Sequence, residues 1–199
     1  MKFDCIEKKP WQAQLRASYT PLQKYWLHRP GALTAGLRSL GTVELNIVRE
    51  YSTGLQQDEA WLLALRPPAP AWVREVRMAV DGVLCVIARS FTPLKDSHGL
   101  WQGIRKLRQR PLADMLYNDA QIQRSPFLNC RLHTQMPLYR TVQLAHQQHG
   151  LLTTPPAPEV LARCSLFYRQ HTPLLVAESF TPEFWLIAAR QHAHYRNII

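Results

Sequence analysis

Three extended, β-branched segments of the chain each carry one charged side chain on a face that is otherwise apolar. Side chains in a strand alternate between the two faces of a sheet, so residues two apart share a face. The charged exceptions are Arg74 in residues 71–80, Glu178 in residues 174–180 and Arg49 in residues 43–51. A buried charge is costly unless it is paired, so each position predicts an ion pair or a site for a charged ligand.

A fourth charge, Arg89, is brought in by the turn at Asp81-Gly82. An Asp-Gly pair between two apolar runs is a strong hairpin signal. A two-residue turn there places Arg74 directly opposite Arg89. Because facing like charges destabilise a sheet, an anion or a carboxylate such as Glu178 is expected between them. The pattern predicts a small basic pocket that contains one acid and suits a small anion.

A purely structural interpretation of these charges remains open at this level. Glu178 could form an ion pair with Arg49 or Arg89 without binding a ligand, and charges near strand ends can also lie in water. A β-bulge in any of these strands would also move a side chain to the other face.

The elements that would position these residues are strands joined by hairpins, with helices grouped between them. Thr20-Pro21 is typical of a helix start. Helical patterns cover 21–29, 33–40, 99–107, 111–117, 138–149 and the tail from 183, and strand patterns cover 42–51, 71–80, 83–91, 127–133, 163–169 and 174–181. This order predicts one α+β domain with an antiparallel sheet.

The composition excludes several classes of protein. The 199 residues include 24 Lys+Arg and 14 Asp+Glu, a net charge of +10, with 46% hydrophobic and 19% charged residues. A chain this apolar is not disordered, and no stretch resembles a membrane helix or a signal peptide. A cytoplasmic protein is expected. The positive charge by itself is compatible with nucleic acid, anionic lipid or a small anionic substrate.

Other polar motifs carry weaker signals. The four cysteines form no CxxC pair, and no zinc site or disulfide framework is predicted. His146 and His149 have HxxH spacing, but without nearby Cys or carboxylate residues we interpret them as solvated. The basic run at 105–110 could bind phosphate, although a solvated basic face is the commoner case. No metal or cofactor is predicted.

Seven segments together resemble the chorismate-pyruvate lyase family, in the order that the family has them. They are GALTAGL at 31–37, VRE at 48–50, WVREVRMAVDG at 72–82, ARSFTP at 88–93, RPLADMLY at 110–117, ARCSLF at 162–167 and TPLLVAESFTP at 172–182. The resemblance implies a six-stranded antiparallel sheet with helices covering a buried ligand, in one domain over 1–199 with a helical extension at about 183–199. It also implies a cofactor-independent lyase that converts chorismate into 4-hydroxybenzoate and pyruvate, opening ubiquinone biosynthesis.

The same resemblance implies which residues bind substrate: Leu33, Arg74, Glu178 and, through its main chain, Leu112. Arg74 and Glu178 are the expected catalytic residues, the first holding a carboxylate and the second hydrogen-bonding the ring hydroxyl during proton loss. Arg49 and Arg89 are weaker candidates for the second carboxylate. The expected protein is a monomer that binds a small dianion and an aromatic product, without nucleic acid or an integral membrane association.

The chain departs from the family pattern at three positions. Ala113 replaces a glycine, Cys164 replaces an arginine and so removes one positive charge, and Thr181 replaces a leucine. These changes keep an alternative open. The chain could be a non-catalytic module that binds small aromatic acids, related to the effector domains of bacterial transcription regulators. Release of pyruvate from chorismate distinguishes the two.

Overall fold

The computed structural model of the protein describes residues 10–148 and 160–196. Within these residues the helices are α1 (Pro21–His28), α2 (Leu33–Arg38), α3 (Gln57–Leu62), α4 (Ala113–Leu116), α5 (Pro137–Gln148) and α6 (Pro182–Arg196). The strands are β1 (Val43–Leu55), β2 (Ala69–Val80), β3 (Val83–Pro93), β4 (Gln123–Arg124), β5 (Leu128–Leu132), β6 (Val160–Arg169) and β7 (Thr172–Phe180). Two short 3₁₀ helices, Asp96–His98 and Gln102–Lys106, follow β3.

The strands form one antiparallel sheet in the order β1-β2-β3-β7-β6-β4, and β5 also pairs with β6. The predicted α+β class is therefore confirmed. The described sheet has seven strands, one more than the six expected, because the two-residue β4 adds a short edge. The helical pattern predicted at 99–107 is a 3₁₀ segment in the structure.

The predicted hairpin between β2 and β3 is present. Asp81 and Gly82 have positive φ angles of 48° and 78°, the backbone that a tight two-residue turn requires. Gly82 adopts this conformation without the steric cost that a β-carbon would add. Val80 pairs with Val83 across the turn, as predicted.

The prediction that Arg74 faces Arg89 is wrong. A bulge after Met78 shifts the register by one residue, so that Arg74 pairs with Ser90 and Glu75 pairs with Arg89. A one-residue shift moves every later side chain to the other face of the sheet. Arg74 and Arg89 therefore point to opposite faces.

A second bulge in β1 has the same effect on Arg49. Ile47 pairs with Val76, but the next paired residue, Arg49, lies opposite Glu75. Val48 is the extra residue, and beyond it the odd-numbered side chains of β1 lie on the opposite face. The expectation that Arg49 belongs to the same face as Arg74 is therefore also wrong.

The two faces of the sheet are covered by different elements. One face packs against α3 and α5 around residues such as Ile87 and Val142. The other face has two apolar clusters: one formed with α1, α2 and α6 around Leu33 and Phe180, and one formed with the 3₁₀ segment and α4 around Trp101. A gap between these two clusters is the position of the cavity described next.

Candidate active site

A cavity lies on this second face, between the sheet and the segments that cover it. Its walls come from α2, the residues before α4, and strands β2, β3, β6 and β7. Four of the six predicted site residues line it: Leu33, Arg74, Leu112 and Glu178. Only Arg74 and Glu178 were also flagged by strand alternation, and the other two came from the family resemblance.

Arg74 is buried, with 2% of its surface exposed, and its guanidinium is held on two sides. Nη1 donates to the carboxylate of Glu50, the residue of β1 that pairs with Arg74 in the sheet. Nη2 donates to the main-chain carbonyls of Arg108 at 2.5 Å and Arg110 at 3.3 Å. These contacts orient the guanidinium at the cavity wall. They also attach the loop before α4, here called the covering loop, to the sheet.

Glu178 forms an ion pair with Arg163, a residue that the sequence analysis did not select. Arg163 Nε donates to Glu178 Oε2 at 2.7 Å, and the two residues are cross-strand partners. Nη1 of Arg163 also donates to the main-chain carbonyls of Trp26 at 2.9 Å and Arg29 at 3.0 Å, at the end of α1. Arg163 is 1% exposed and lines the cavity.

The sequence did contain a signal for Arg163. In β6, Leu161, Arg163, Ser165 and Phe167 share one face by alternation. The predicted strand begins at Arg163, so the alternation with Leu161 lies outside its predicted range. The strand begins at Val160 instead, so Arg163 lies three residues inside it.

The apolar and main-chain parts of the wall come from two short helix starts. Leu33 is the first residue of α2 and is 3% exposed. Leu112 precedes α4, and its carbonyl accepts hydrogen bonds from the N–H groups of Met115 and Leu116. No hydrogen bond from the Leu112 N–H to another group is present in the described part of the chain.

Arg49 and Arg89 do not line the cavity but belong to an ion-pair network on the opposite face, in which Arg89 is buried and Arg49 is exposed. Arg89 donates to Glu59 from Nε at 2.5 Å and from Nη2 at 3.0 Å, and its Nη1 donates to Glu75. Arg49 Nε donates to Glu75 at 2.5 Å. The carboxylate partners of these two arginines are Glu59 and Glu75, whereas the ion pair expected with Glu178 is absent.

The acids of this network have opposite pKa shifts. Burial raises the pKa of Glu75, but hydrogen bonds from Arg49 and Thr141 and the charge of Arg89 outweigh it, so the net shift is downward. Burial dominates for Glu59 and raises its pKa despite the hydrogen bonds from Arg89. The charge of Glu75 is therefore the one that the fold stabilises.

The three departures from the family pattern lie in different places. Ala113 lines the cavity. Cys164 is 1% exposed in the cluster on the opposite face, so the loss of an arginine there does not remove a charge from the cavity wall. Thr181 caps α6, because its Oγ1 accepts from the Phe184 N–H at 3.2 Å while donating to the Leu84 carbonyl at 2.8 Å.

The described residues contain no cluster of three or more His, Cys, Asp or Glu side chains arranged to hold a metal ion. His146 is buried in α5, where a solvated residue was expected, and His149 lies outside the described residues. In the part of the chain that the structure describes, no helix is long and apolar enough to cross a membrane.

Comparison with known proteins identifies the family. A family model described as chorismate lyase matches residues 6–189. The chain belongs to the chorismate lyase family. It is 50% identical over 178 residues to a probable chorismate pyruvate-lyase of Bordetella pertussis, covering 89% of this chain and 91% of that one. It is also 36% identical over 175 residues to probable chorismate pyruvate-lyase 1 of Pseudomonas fluorescens, covering 88% and 90%.

Among solved structures, the fold of this chorismate lyase family member is similar to PhnF from Mycobacterium smegmatis. The effector domain of PhnF matches with a TM-score of 0.50 at 12% identity, covering 77% of this chain and 90% of that one. A second PhnF structure matches with a TM-score of 0.54 at 13% identity, covering 77% and 65%. At such low identity the likeness concerns the fold alone.

Proposed function

We propose that this chain is a chorismate lyase, which eliminates pyruvate from chorismate to give 4-hydroxybenzoate, the first step of ubiquinone biosynthesis. The observation that carries the proposal is the match of residues 6–189 to the chorismate lyase family. A cavity lined by both a buried arginine and an acid adds support, because the substrate is a dianion with a hydroxyl group. The enzyme acts in the cytoplasm as a monomer and uses neither a cofactor nor nucleic acid.

The reaction asks little of the protein beyond binding and orientation. The bond between the ring carbon and the ether oxygen breaks, and the proton leaves the neighbouring ring carbon that bears the hydroxyl. Enolpyruvate departs and becomes pyruvate by taking up a proton, while the ring becomes aromatic. Because aromatisation makes the elimination strongly favourable, the protein contributes mainly by holding the reacting bonds in alignment and excluding water.

Arg74 binds a substrate carboxylate in this proposal. A guanidinium offers parallel N–H donors that match the two oxygens of a carboxylate. Glu50 and the carbonyls of the covering loop fix its plane before the substrate arrives. Leu33 packs against the ring, and the Leu112 N–H donates to a substrate oxygen.

Glu178 hydrogen-bonds the ring hydroxyl and helps to remove the neighbouring proton. One of its oxygens accepts from Arg163 at 2.7 Å, which sets the direction of the carboxylate. The other oxygen has lone pairs for the substrate. A carboxylate held in this way acts as a general base only when the reacting carbon is bound within hydrogen-bonding reach.

Incubation of the purified protein with chorismate tests the proposal, with pyruvate and 4-hydroxybenzoate measured in parallel. We expect the two products in equal amounts. If 4-hydroxybenzoate raises the melting temperature but chorismate yields no pyruvate, the chain is a binding module and the proposed activity is wrong.

Two separate variants test the assigned residues. Arg74→Ala should raise KM, because it removes the carboxylate partner. Glu178→Gln keeps the shape but not the base, and should lower kcat by about 10²-fold, the usual contribution of a general base. The conservative Glu44→Gln, on an exposed part of β1, is the control. Parent rates in both variants would refute the site assignment.

A further inference from the structure

The segment from Arg105 to Arg110, here called the basic segment, carries four cations in six residues: Arg105, Lys106, Arg108 and Arg110. Lys106, Arg108 and Arg110 are exposed, and Arg105 is partly exposed. The buried side chains of Ile104 and Leu107 attach this stretch to an apolar cluster on the cavity side of the sheet. The mechanism above makes no use of these four charges.

The main chain of the basic segment is bonded directly to the cavity wall. The carbonyls of Arg108 and Arg110 accept hydrogen bonds from Arg74, the arginine proposed to bind a carboxylate. The next residues along the chain, Pro111 and Leu112, line the cavity. The exposed cations therefore lie on the stretch of chain that leads directly into the cavity lining.

Arg105 fixes the other end of the segment on the same face. Its guanidinium carbon lies 3.9 Å from the centroid of the Trp72 ring, and its Nη2 donates to Ser97 Oγ at 2.9 Å. Trp72 precedes Arg74 by two residues in β2, so both project to the same side. The basic segment is thus held at both ends over the face that contains the cavity.

We propose that the basic segment captures the dianionic substrate electrostatically and delivers it to Arg74; this role rests on the proposed lyase function. Exposed charges at the mouth of a cavity raise the local concentration of an oppositely charged ligand and its rate of association. Such charges act through solvent and not by contact. Their effect reaches about 30 Å at 0.01 M ionic strength but only about 8 Å at 0.15 M.

The test is the ionic-strength dependence of kcat/KM for pyruvate release from chorismate. The variant Lys106→Gln/Arg108→Gln/Arg110→Gln removes three charges but keeps every main-chain carbonyl that binds Arg74. At about 0.01 M ionic strength we expect its kcat/KM to be about five-fold below that of the parent, mainly through KM. At about 0.5 M the difference should shrink to less than two-fold, since screening removes the advantage of the parent.

The matched control is Arg16→Gln/Arg66→Gln/Arg140→Gln. It removes the same net charge from three exposed positions that do not line the cavity. We expect its kcat/KM to stay within two-fold of the parent at low ionic strength. An equal loss in both triple variants would mean that net charge alone matters, and would overturn the proposal.

Three further results would also overturn it. One is a parent kcat/KM that does not fall with added NaCl. This measurement uses the parent protein alone, so it does not depend on whether the variant folds. Another is a kcat/KM of the Lys106→Gln/Arg108→Gln/Arg110→Gln variant that stays below that of the parent at high salt, which would indicate a direct contact between these side chains and the substrate. The third is a triple variant with the kinetics of the parent that no longer binds vesicles of anionic phospholipid to which the parent binds. That result would assign the basic segment to a membrane surface. A parent that releases no pyruvate would instead refute the lyase proposal itself.

Discussion

At the scale of single residues, the two buried arginines at the cavity have matching surroundings. Arg74 joins Glu50 to carbonyls of the loop before α4, and Arg163 joins Glu178 to carbonyls at the end of α1. A buried guanidinium is tolerated when its donors are paired in this way. Each arginine therefore has its charge paired with a carboxylate, and its hydrogen bonds to carbonyls attach a covering segment to the sheet.

Arg163 offers a direct test of this arrangement. Arg163→Met removes the partner of Glu178 and leaves two carbonyls at the end of α1 without their donor, so we expect a loss of about 3 kcal/mol in the free energy of unfolding. Arg163→Lys keeps the charge but cannot reproduce the planar set of donors. Its free energy of unfolding should lie between those of the parent and the Met variant. Urea unfolding at pH 7 measures the order, and a Met variant as stable as the parent would contradict it.

At the scale of elements, two bulges decide which arginines face the cavity. The extra residue in β1 is Val48, and the shift in the β2–β3 pair follows Met78. Together they direct Arg49 and Arg89 to the opposite face, where they neutralise Glu59 and Glu75. The cavity face keeps Arg74 and Arg163, with Glu50 and Glu178 as partners.

The network on the opposite face predicts a pH-dependent stability. The folded pKa of Glu75 is lowered, so its ionised form stabilises the fold at any pH above its unfolded pKa of about 4.3. That contribution is lost as the pH falls through the folded pKa. Glu75→Gln should therefore lower the free energy of unfolding by about 3 kcal/mol at pH 7. This difference in stability between variant and parent should narrow below about pH 4.

Urea unfolding between pH 3 and 7 measures this difference, with Glu44→Gln again as the exposed control. Glu59 has the opposite sign, because its folded pKa is raised, and its ionisation costs stability as the pH rises. A difference between parent and Glu75→Gln that stays constant from pH 7 to pH 3 would show that the charge of Glu75 is not what stabilises the network.

At the scale of the whole molecule, the layers on both faces of the sheet bury the thiols between them. Cys85, Cys130 and Cys164 are each at most 2% exposed. Burial raises the pKa of Cys85 to about 11 and raises the pKa values of Cys130 and Cys164 as well. Thiols that are both inaccessible and protonated are poor nucleophiles.

We therefore expect at most one of the four cysteines of the chain to react with Ellman's reagent at pH 8 in the native protein. All four should react after denaturation in urea. Alkylation followed by mass spectrometry identifies the reactive position. Rapid native labelling of Cys85, Cys130 or Cys164 would mean that the layers open far more readily than their packing indicates.

Local patterns were sufficient for most of the fold. Alternation and the Asp81-Gly82 turn predicted the hairpin, and Thr20-Pro21 predicted the start of α1, where Thr20 and Gln23 form a capping box. These features depend on residues close together in the chain. Strands β1 to β3 and β5 to β7 were also predicted, since each has enough β-branched or apolar residues to stand out.

The sequence by itself determined the family, the antiparallel α+β class and the selection of Arg74 and Glu178 as charges on an apolar face. Only the tertiary structure decided that Arg163 is the partner of Glu178 and that Arg49 and Arg89 lie on the other side of the sheet. The physical reason is register. A single bulge reverses the face of every residue beyond it, and its position depends on pairing between strands, which the local sequence does not encode.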